Sequence, residues 1–141
     1  MTMRRISALT FTIIIVGFSV SVADVIDDRK AGFRNTVTAL KAIRTAMKEG
    51  DAAMVAQNAE NIADWFAVMT DYFPEGSGNG NTNARPEIWT KWDSFTALAL
   101  SSEKTARDLA MKAAAGDTNA IPEGFKAIAG TCKTCHQSFK N

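Results

Sequence analysis

The stretch Cys132-Lys133-Thr134-Cys135-His136 contains both cysteines and the single histidine of a 141-residue chain. Its C-x-x-C-H spacing is the pattern of c-type haem attachment, in which two thiols form thioethers with the porphyrin and the adjacent imidazole binds the iron. The residues must lie this close together because one porphyrin edge meets both sulfurs while its iron stays under the imidazole. The motif therefore predicts one covalent haem c, attached to Cys132 and Cys135, with His136 as the axial ligand of the iron.

Three other interpretations of the motif are weaker. A structural zinc site draws on four protein ligands, and the chain has no second pair of Cys or His residues. A thioredoxin-like C-x-x-C accompanies a βαβ pattern, and strand signals are lacking here. A plain disulfide between the two cysteines stays open as the simplest structural alternative, because the compartment inferred below is oxidising.

Outside the motif, apolar residues recur at alternating steps of four and three in four segments, which is the pattern of a buried helical face. We predict helices at 25–48, 51–73, 87–115 and 122–139. A loop rich in Gly and Asn at 74–86 separates the second helix from the third. The two short connections favour an all-α, antiparallel up-down-up-down four-helix bundle.

Each predicted helix contributes one stripe to the core, and Cys132 and Cys135 occupy core positions of the fourth. The haem is therefore expected inside the bundle, where it adds a large apolar surface to the core. The other stripe residues are Ile26, Phe33, Val37, Leu40, Ile43 and Met47 on the first helix, Val55, Ala59, Ile62, Phe66, Met69 and Phe73 on the second, Ile88, Trp92, Phe95, Ala99, Ala106, Leu109 and Ala113 on the third, and Phe125, Ile128 and Phe139 on the fourth.

The N-terminus has the organisation of a secretory signal peptide at residues 1–23. Arg4 and Arg5 precede an apolar run, and small residues precede a cleavage site after Ala23. The run is too short for a comfortable membrane span, so an uncleaved anchor is the minority interpretation and no stable membrane insertion is expected. Cleavage leaves one haem domain, 24–141, in the periplasm. This domain is close to neutral and has no basic stripe, which argues against a nucleic-acid partner.

The sixth ligand of the iron can be sought in the same way. There is no second histidine, and residues 24–46 contain no methionine. Met47 and Met54 belong to the far end of the bundle, and Met69 is at the right level but suits core packing. We predict a five-coordinate, high-spin iron, with a low-spin electron carrier that has a Met sixth ligand as the alternative. The residues expected near the haem are Arg29, Phe33, Met69, Phe73, Trp89 and Trp92.

Three segments together resemble the cytochrome c′ family over the whole mature chain. Residues 132–140 (CKTCHQSFK) are similar to the family's haem-binding ending. Residues 73–77 (FPEGS) and 84–89 (ARPEIW) are similar to its loop and third-helix start, and residues 25–30 (VIDDRK) to its first helix. The conjunction is much more specific than the haem motif, which all c-type cytochromes share.

The resemblance implies roles for further residues. Arg29 would contact a haem propionate, and Ser77 would form a hydrogen bond nearby. Phe33 would cover the distal face, where the family often has an aliphatic residue. Lys140 would be the basic residue near the proximal pocket, and Lys30 replaces the glutamine usual beside the haem edge. Thr36 stands near the position of the sixth-ligand Met of low-spin members, which favours the high-spin branch.

The resemblance also implies function and assembly. Binding of NO and CO suits an open sixth position behind an apolar Phe33, and a periplasmic electron carrier with a redox partner protein is the second hypothesis. An enzyme such as a peroxidase is disfavoured because no distal acid–base group is evident. A homodimer through the first two helices is expected, since Trp65, Val68 and Tyr72 form a second apolar stripe that could also belong to the core.

Overall fold

The computed structural model describes residues 21–141, so the predicted signal peptide at 1–23 lies almost entirely outside the described residues. The helices are α1 (Val22–Glu49), α2 (Ala52–Val68), α3 (Glu87–Thr90), α4 (Trp92–Ala114) and α5 (Ile121–Phe139), with 3₁₀ turns at Met69–Tyr72 and Thr118–Ala120. Strands are lacking in this part of the chain, apart from one isolated bridge between Ala84 and Lys140. No helix within 21–141 has the length and apolar content that a membrane span requires.

Local chemistry sets the ends of the first two helices. The Ser21 side chain accepts a hydrogen bond from the Asp24 amide and caps α1. Gly50 ends α1 with a φ of 73°, a left-handed conformation that glycine adopts without strain. Asp51 then caps α2 by accepting from the Met54 amide at 2.9 Å. Because only two residues separate the helices, α1 and α2 must run antiparallel.

The structure differs from the prediction at the end of the second helix and inside the third. The second helix ends at Val68, and Met69–Tyr72 form a 3₁₀ turn in place of the predicted α-helix. The predicted third helix is broken at Lys91, whose φ of −127° is not helical. Tertiary contact accompanies the break, because the Trp89 indole in α3 donates to the carbonyl oxygens of Phe73 and Pro74 and attaches α3 to the end of α2.

The buried face of α1 lies beside the one that was predicted. Its buried residues include Gly32, Ala39 and Ala46, whereas Leu40 and Met47 are only partly buried. Small residues at these positions let α2 approach closely, and a Cβ at Gly32 would lie 2.3 Å from a ring carbon of Trp65. The stripe predicted for the second helix is buried in full, and the stripe predicted for the third helix is buried except Trp92, which is exposed.

Aromatic packing shows how the four long helices are arranged. Phe73 at the end of the second helical segment packs on Phe95 near the start of α4, with ring centroids 4.8 Å apart. Phe95 in turn packs on Phe139 at the end of α5, at 5.3 Å. The end of the second segment, the start of α4 and the end of α5 therefore lie at one end of the molecule, which confirms the antiparallel four-helix bundle. The 74–86 loop and the Cys/His motif lie at this same end.

Candidate haem site

Helix α5 carries the Cys/His motif in its last two turns. Cys135 and His136 follow Cys132 by three and four residues, so the helix places all three along one side. Both cysteines are free thiols that pack partly against the core, and His136 is largely exposed. The structure therefore brings together the three groups that the motif predicted.

The surroundings set the protonation of these groups. Burial raises the pKa of the Cys132 thiol, and burial together with the neighbouring Cys132 raises the pKa of Cys135 to about 11. Partial burial and the charge of Lys140 lower the pKa of His136. At neutral pH the thiols are protonated, and the imidazole is neutral with a ring nitrogen available to a metal.

The bundle is open on the side between α1 and α5. These helices make far fewer contacts than the other neighbouring pairs, although Arg44 of α1 lies over the Phe125 ring of α5 at 5.9 Å. Arg44 shares its face of α1 with Phe33, Val37 and Leu40, at steps of three and four residues. Val37 on this face is 50% exposed, so protein side chains alone do not bury this residue of the predicted core stripe. The protein covers this apolar face only in part, since Phe33 and Leu40 pack against the core while Val37 is exposed.

The contact between Arg44 and Phe125 also sets the register of the two helices. Both helices rise 1.5 Å per residue and run in opposite directions. Seven residues from the contact, Val37 is about level with Cys132, and four residues further Phe33 is about level with His136. The partly covered face of α1 therefore lies opposite the motif.

Arg29 is a buried cation surrounded by neutral acceptors. Its side chain is 2% exposed, and burial lowers its pKa. One nitrogen, Nη1, donates to the Ser77 hydroxyl at 2.9 Å, while Nη2 donates to the Ser77 carbonyl at 2.7 Å and to the Thr82 hydroxyl at 2.6 Å. The guanidinium also stands over the Phe73 ring at 4.6 Å. No carboxylate pairs with it within residues 21–141, so the site has an uncompensated positive charge that suits an anionic group.

Thr82 is a functional candidate that the sequence did not reveal. Its hydroxyl accepts from Arg29 and also from the Ala84 amide at 3.1 Å. No periodicity marks a residue in an irregular loop, and the only signal was that a buried arginine needs acceptors. Ser77, which was predicted, is fully buried and donates to the Pro74 carbonyl at 2.8 Å.

Lys30 and Phe33 take different environments on α1. The Lys30 amine donates to the Asn81 carbonyl at 3.3 Å and lies 3.7 Å from the Asp27 carboxylate, so it faces the loop. Phe33 is half-buried, with its ring edge-on to Trp65 at 5.6 Å and to Phe66 at 6.5 Å. Trp65 is therefore part of the packing within the protomer, which is one of the two roles that the sequence left open for it.

The C-terminus is attached to the loop at Lys140. The Arg85 amide donates to the Phe139 carbonyl at 3.0 Å, and the Asn141 amide donates to the Asn83 carbonyl at 2.9 Å. These bonds hold the backbone of Lys140 beside Ala84, one turn after His136, where its charge acts on the imidazole. The sequence placed Lys140 near His136 but gave no sign of the loop contact.

The other residues expected near the haem separate into two groups. Met69 and Phe73 are buried in the core, and the Trp89 indole is occupied by backbone carbonyls. Trp92 packs on Phe95 from an exposed position. Of this set, only Phe73 contacts the described site, through Arg29 and Phe33.

Comparison with known proteins decides the family. A family model described as cytochrome c′ matches residues 24–140. The chain belongs to the cytochrome c′ family. It is 34% identical over 143 aligned residues to the cytochrome c′ of Rhodospirillum rubrum, with 99% of this chain and 96% of that protein covered.

Solved structures of cytochromes c′ agree in fold. The cytochrome c′ of Thermochromatium tepidum is 27% identical with a TM-score of 0.78, covering 86% of this chain and 97% of that one. A cytochrome c′ with an unusual ligand-controlled dimer dissociation is 25% identical with a TM-score of 0.80, covering 86% and 98%. The nitrosyl complex of a cytochrome c′ variant from Alcaligenes xylosoxidans is 25% identical with a TM-score of 0.76, covering 85% and 97%.

The residues present fit the cofactor of the family. Two free thiols and a neutral imidazole on one side of α5 face a partly covered apolar stripe of α1, and the buried Arg29 has no anionic partner in the described chain. Cytochromes c′ are periplasmic c-type haem proteins that carry electrons and bind gases, and each binds one covalent haem c. The chain is therefore a c-type haem protein with a single haem c, as predicted.

Proposed function

We propose that Cys132 and Cys135 hold the haem through thioethers and that His136 is the axial ligand of its iron. The spacing of the three groups on α5 supports this assignment, as do the free thiols and the neutral imidazole. Arg29 and Ser77 would bind a haem propionate, because Arg29 is a buried cation with only neutral acceptors. Lys140 would adjust the electrostatics of the proximal side, and Lys30 would lie at the haem edge.

The observation that carries the function is the residue opposite His136. Phe33 of α1 is about level with His136, which supports our proposal that a phenyl ring, which cannot ligate iron, occupies the side from which a sixth ligand would come. Met69 is buried in the core with 1% exposure, and Met47 and Met54 lie at the other end of the bundle. The iron is then five-coordinate and high-spin, with its sixth position open to small ligands.

The function proposed is reversible binding of NO and CO at this position, together with electron transfer to a redox partner protein. A solved relative forms a nitrosyl complex, which supports gas binding. The apolar aromatic lining around Phe33 offers no acid–base group for peroxidase chemistry, so we propose no enzyme activity. The low-spin carrier with Met69 as sixth ligand is the competing function, and the buried position of Met69 disfavours it.

Two further proposals concern assembly and export. A homodimer through α1 and α2 is supported by Val68, which is 44% exposed, and by a relative whose dimer dissociates under ligand control. Export with cleavage after Ala23 is supported by the family match, which begins at residue 24. Cleavage there removes Ser21 and exposes a new amino terminus at the start of α1.

Absorption spectra of the ferric and ferrous protein, with and without CO, test the proposed function. We expect a high-spin ferrous spectrum that CO converts to a low-spin one. A sharp low-spin band in the absence of CO, with a sulfur-to-iron charge-transfer feature in the ferric protein, would establish the competing function. Substitution of Met69 by Leu would then identify the ligand.

A further inference from the structure

Three aromatic rings surround Phe33. Trp65, Phe66 and Phe73 all present edge contacts, with centroids 5.6, 6.5 and 6.5 Å away and interplanar angles of 81°, 69° and 70°. Edge-to-face pairs at such distances are favourable. Phe66 and Phe73 are buried in the core, whereas Trp65 is only half-buried between α1 and α2. Trp65 is therefore the one of the three rings that lies at the rim.

Gly32 holds the Trp65 ring in place through close contact with the α1 backbone. A Cβ at Gly32 would lie 2.3 Å from Cη2 of Trp65 and 2.4 Å from Cζ2 and Cζ3, so only glycine leaves room for the ring. The Tyr72 ring lies on Trp65 with centroids 5.1 Å apart. The indole Nε1 is buried without a partner among residues 21–141, so Trp65 contributes here through packing and not through a hydrogen bond.

We propose that Trp65, seated on Gly32, is a positioning residue that keeps Phe33 over the sixth coordination position and thereby sets the rate at which small gases bind. The inference rests on the proposed function, in which Phe33 covers an open sixth position. Phe33 stands on the partly covered face of α1, where the aromatic cluster restrains its ring. An incoming ligand must displace that ring, and Trp65 resists the displacement.

Stopped-flow CO binding to the reduced holoprotein tests the role of Trp65. Trp65→Leu removes the edge contact, and Gly32→Ala forces the intact Trp65 ring to move while favouring the helix. We expect each variant to raise the CO association rate about tenfold, the effect of losing one aromatic pair. Trp92→Leu is the matched control, because Trp92 packs on Phe95 and makes no aromatic pair with Phe33. Its CO association rate should equal that of the wild type.

Two further measurements separate positioning from a general loosening of the fold. In a Phe33→Ala background, Trp65→Leu and Gly32→Ala should add no further acceleration, because the ring they act on is gone. In the diamagnetic ferrous CO complex, NMR should show faster flipping of the Phe33 ring in Trp65→Leu than in the wild type. If Trp65→Leu yields no holoprotein, the CO association rate of Gly32→Ala, which keeps every ring of the cluster, decides the question.

The outcomes distinguish this inference from the proposed function. A wild type that binds no CO overturns both. A wild type that binds CO slowly and a Phe33→Ala variant that binds it fast support the proposed function. If Trp65→Leu and Gly32→Ala then bind CO at the wild-type rate, or accelerate binding equally without Phe33, the inference about Trp65 is overturned alone.

Discussion

At the scale of single residues, the site contains buried polar groups, and each has a way to offset the free-energy cost of its burial. Burying a guanidinium costs free energy unless its N–H groups are hydrogen-bonded. Arg29 of α1 meets this condition by donating to Ser77 and Thr82 of the 74–86 loop. The free thiols of Cys132 and Cys135 are likewise partly buried, at positions where the proposed haem attachment would convert them to apolar thioethers.

Removal of either thiol should prevent normal attachment. We expect Cys132→Ala and Cys135→Ala to leave little stable holoprotein, because the remaining thioether cannot orient the porphyrin against His136. The measurement is covalent haem stain on a denaturing gel. Thr134→Ala, an exposed change between the two cysteines, should stain like the wild type. Full staining of both cysteine variants would contradict the assignment.

Arg29 should raise the reduction potential of the haem, because a nearby positive charge favours the ferrous form. Arg29→Gln keeps hydrogen-bonding groups but removes the charge. We expect the midpoint potential to fall by roughly 40 mV, about 1 kcal/mol for a one-electron couple. Potentiometric titration measures the shift, and Arg34→Gln, an exposed charge change on the same helix, is the control. An unchanged potential in Arg29→Gln would remove Arg29 from the haem site.

Phe33 offers a direct test of the ligation state. Phe33→Met introduces a thioether about level with His136, and we expect it to bind the iron and convert the resting protein to low spin. Absorption and electron paramagnetic resonance spectra report the change. Phe33→Leu, which has no ligating atom, should stay high-spin. A high-spin Phe33→Met protein would show that residue 33 does not face the iron.

At the scale of elements, α4 supplies the closest packing of the bundle. It contacts both α2 and α5, and its buried face consists largely of small residues around Leu109. Gly124 of α5 sits against this leucine, since a Cβ there would lie 2.8 Å from Leu109 Cδ1. Close contact between side chains of α4 and α5 therefore stabilises this part of the bundle.

This difference predicts where truncation is costly. Leu109→Ala should lower the free energy of unfolding by about 3 kcal/mol, since it leaves a cavity between α4 and α5. Leu100→Ala, on the same helix but 48% exposed, should change stability by less than about 0.5 kcal/mol. Denaturant unfolding followed by circular dichroism measures both. Equal losses in the two variants would mean that the α4–α5 contact is not part of the core.

At the scale of the whole molecule, the partly covered surface of α2 bears on assembly. Val68 is exposed beside Trp65 and Tyr72, which are half-buried by contacts within the protomer. An apolar residue at this position suits a partner helix. The dimer proposed above would therefore bury Val68 in a contact smaller than the three-residue stripe predicted from sequence.

Analytical ultracentrifugation tests this dimer. We expect about twice the protomer mass for the wild type and the protomer mass for Val68→Glu, because a charge at an apolar contact costs desolvation. Leu100→Glu, an exposed change on α4, should leave the dimer intact. A wild type that stays monomeric at high micromolar concentration would instead assign this surface to solvent.

The sequence alone determined the features that depend on residues close together in the chain. The haem motif lies within five residues, the Gly50 and Asp51 signals end one helix and begin the next, and the α2 stripe follows a 3.6-residue period. Such features need no partner from elsewhere in the chain, so the fold class, the cofactor and the family all followed from them.

Only the tertiary structure decided which of two adjacent stripes faces which neighbour. Periodicity identified Val37 as apolar, but Gly32 gives α2 its close approach and leaves Val37 on the open side. The break at Lys91 accompanies the Trp89 contact with the end of α2, and Thr82 is recruited by Arg29 across 53 positions of sequence. Each of these depends on contacts between distant segments, and such contacts leave no local pattern in the sequence.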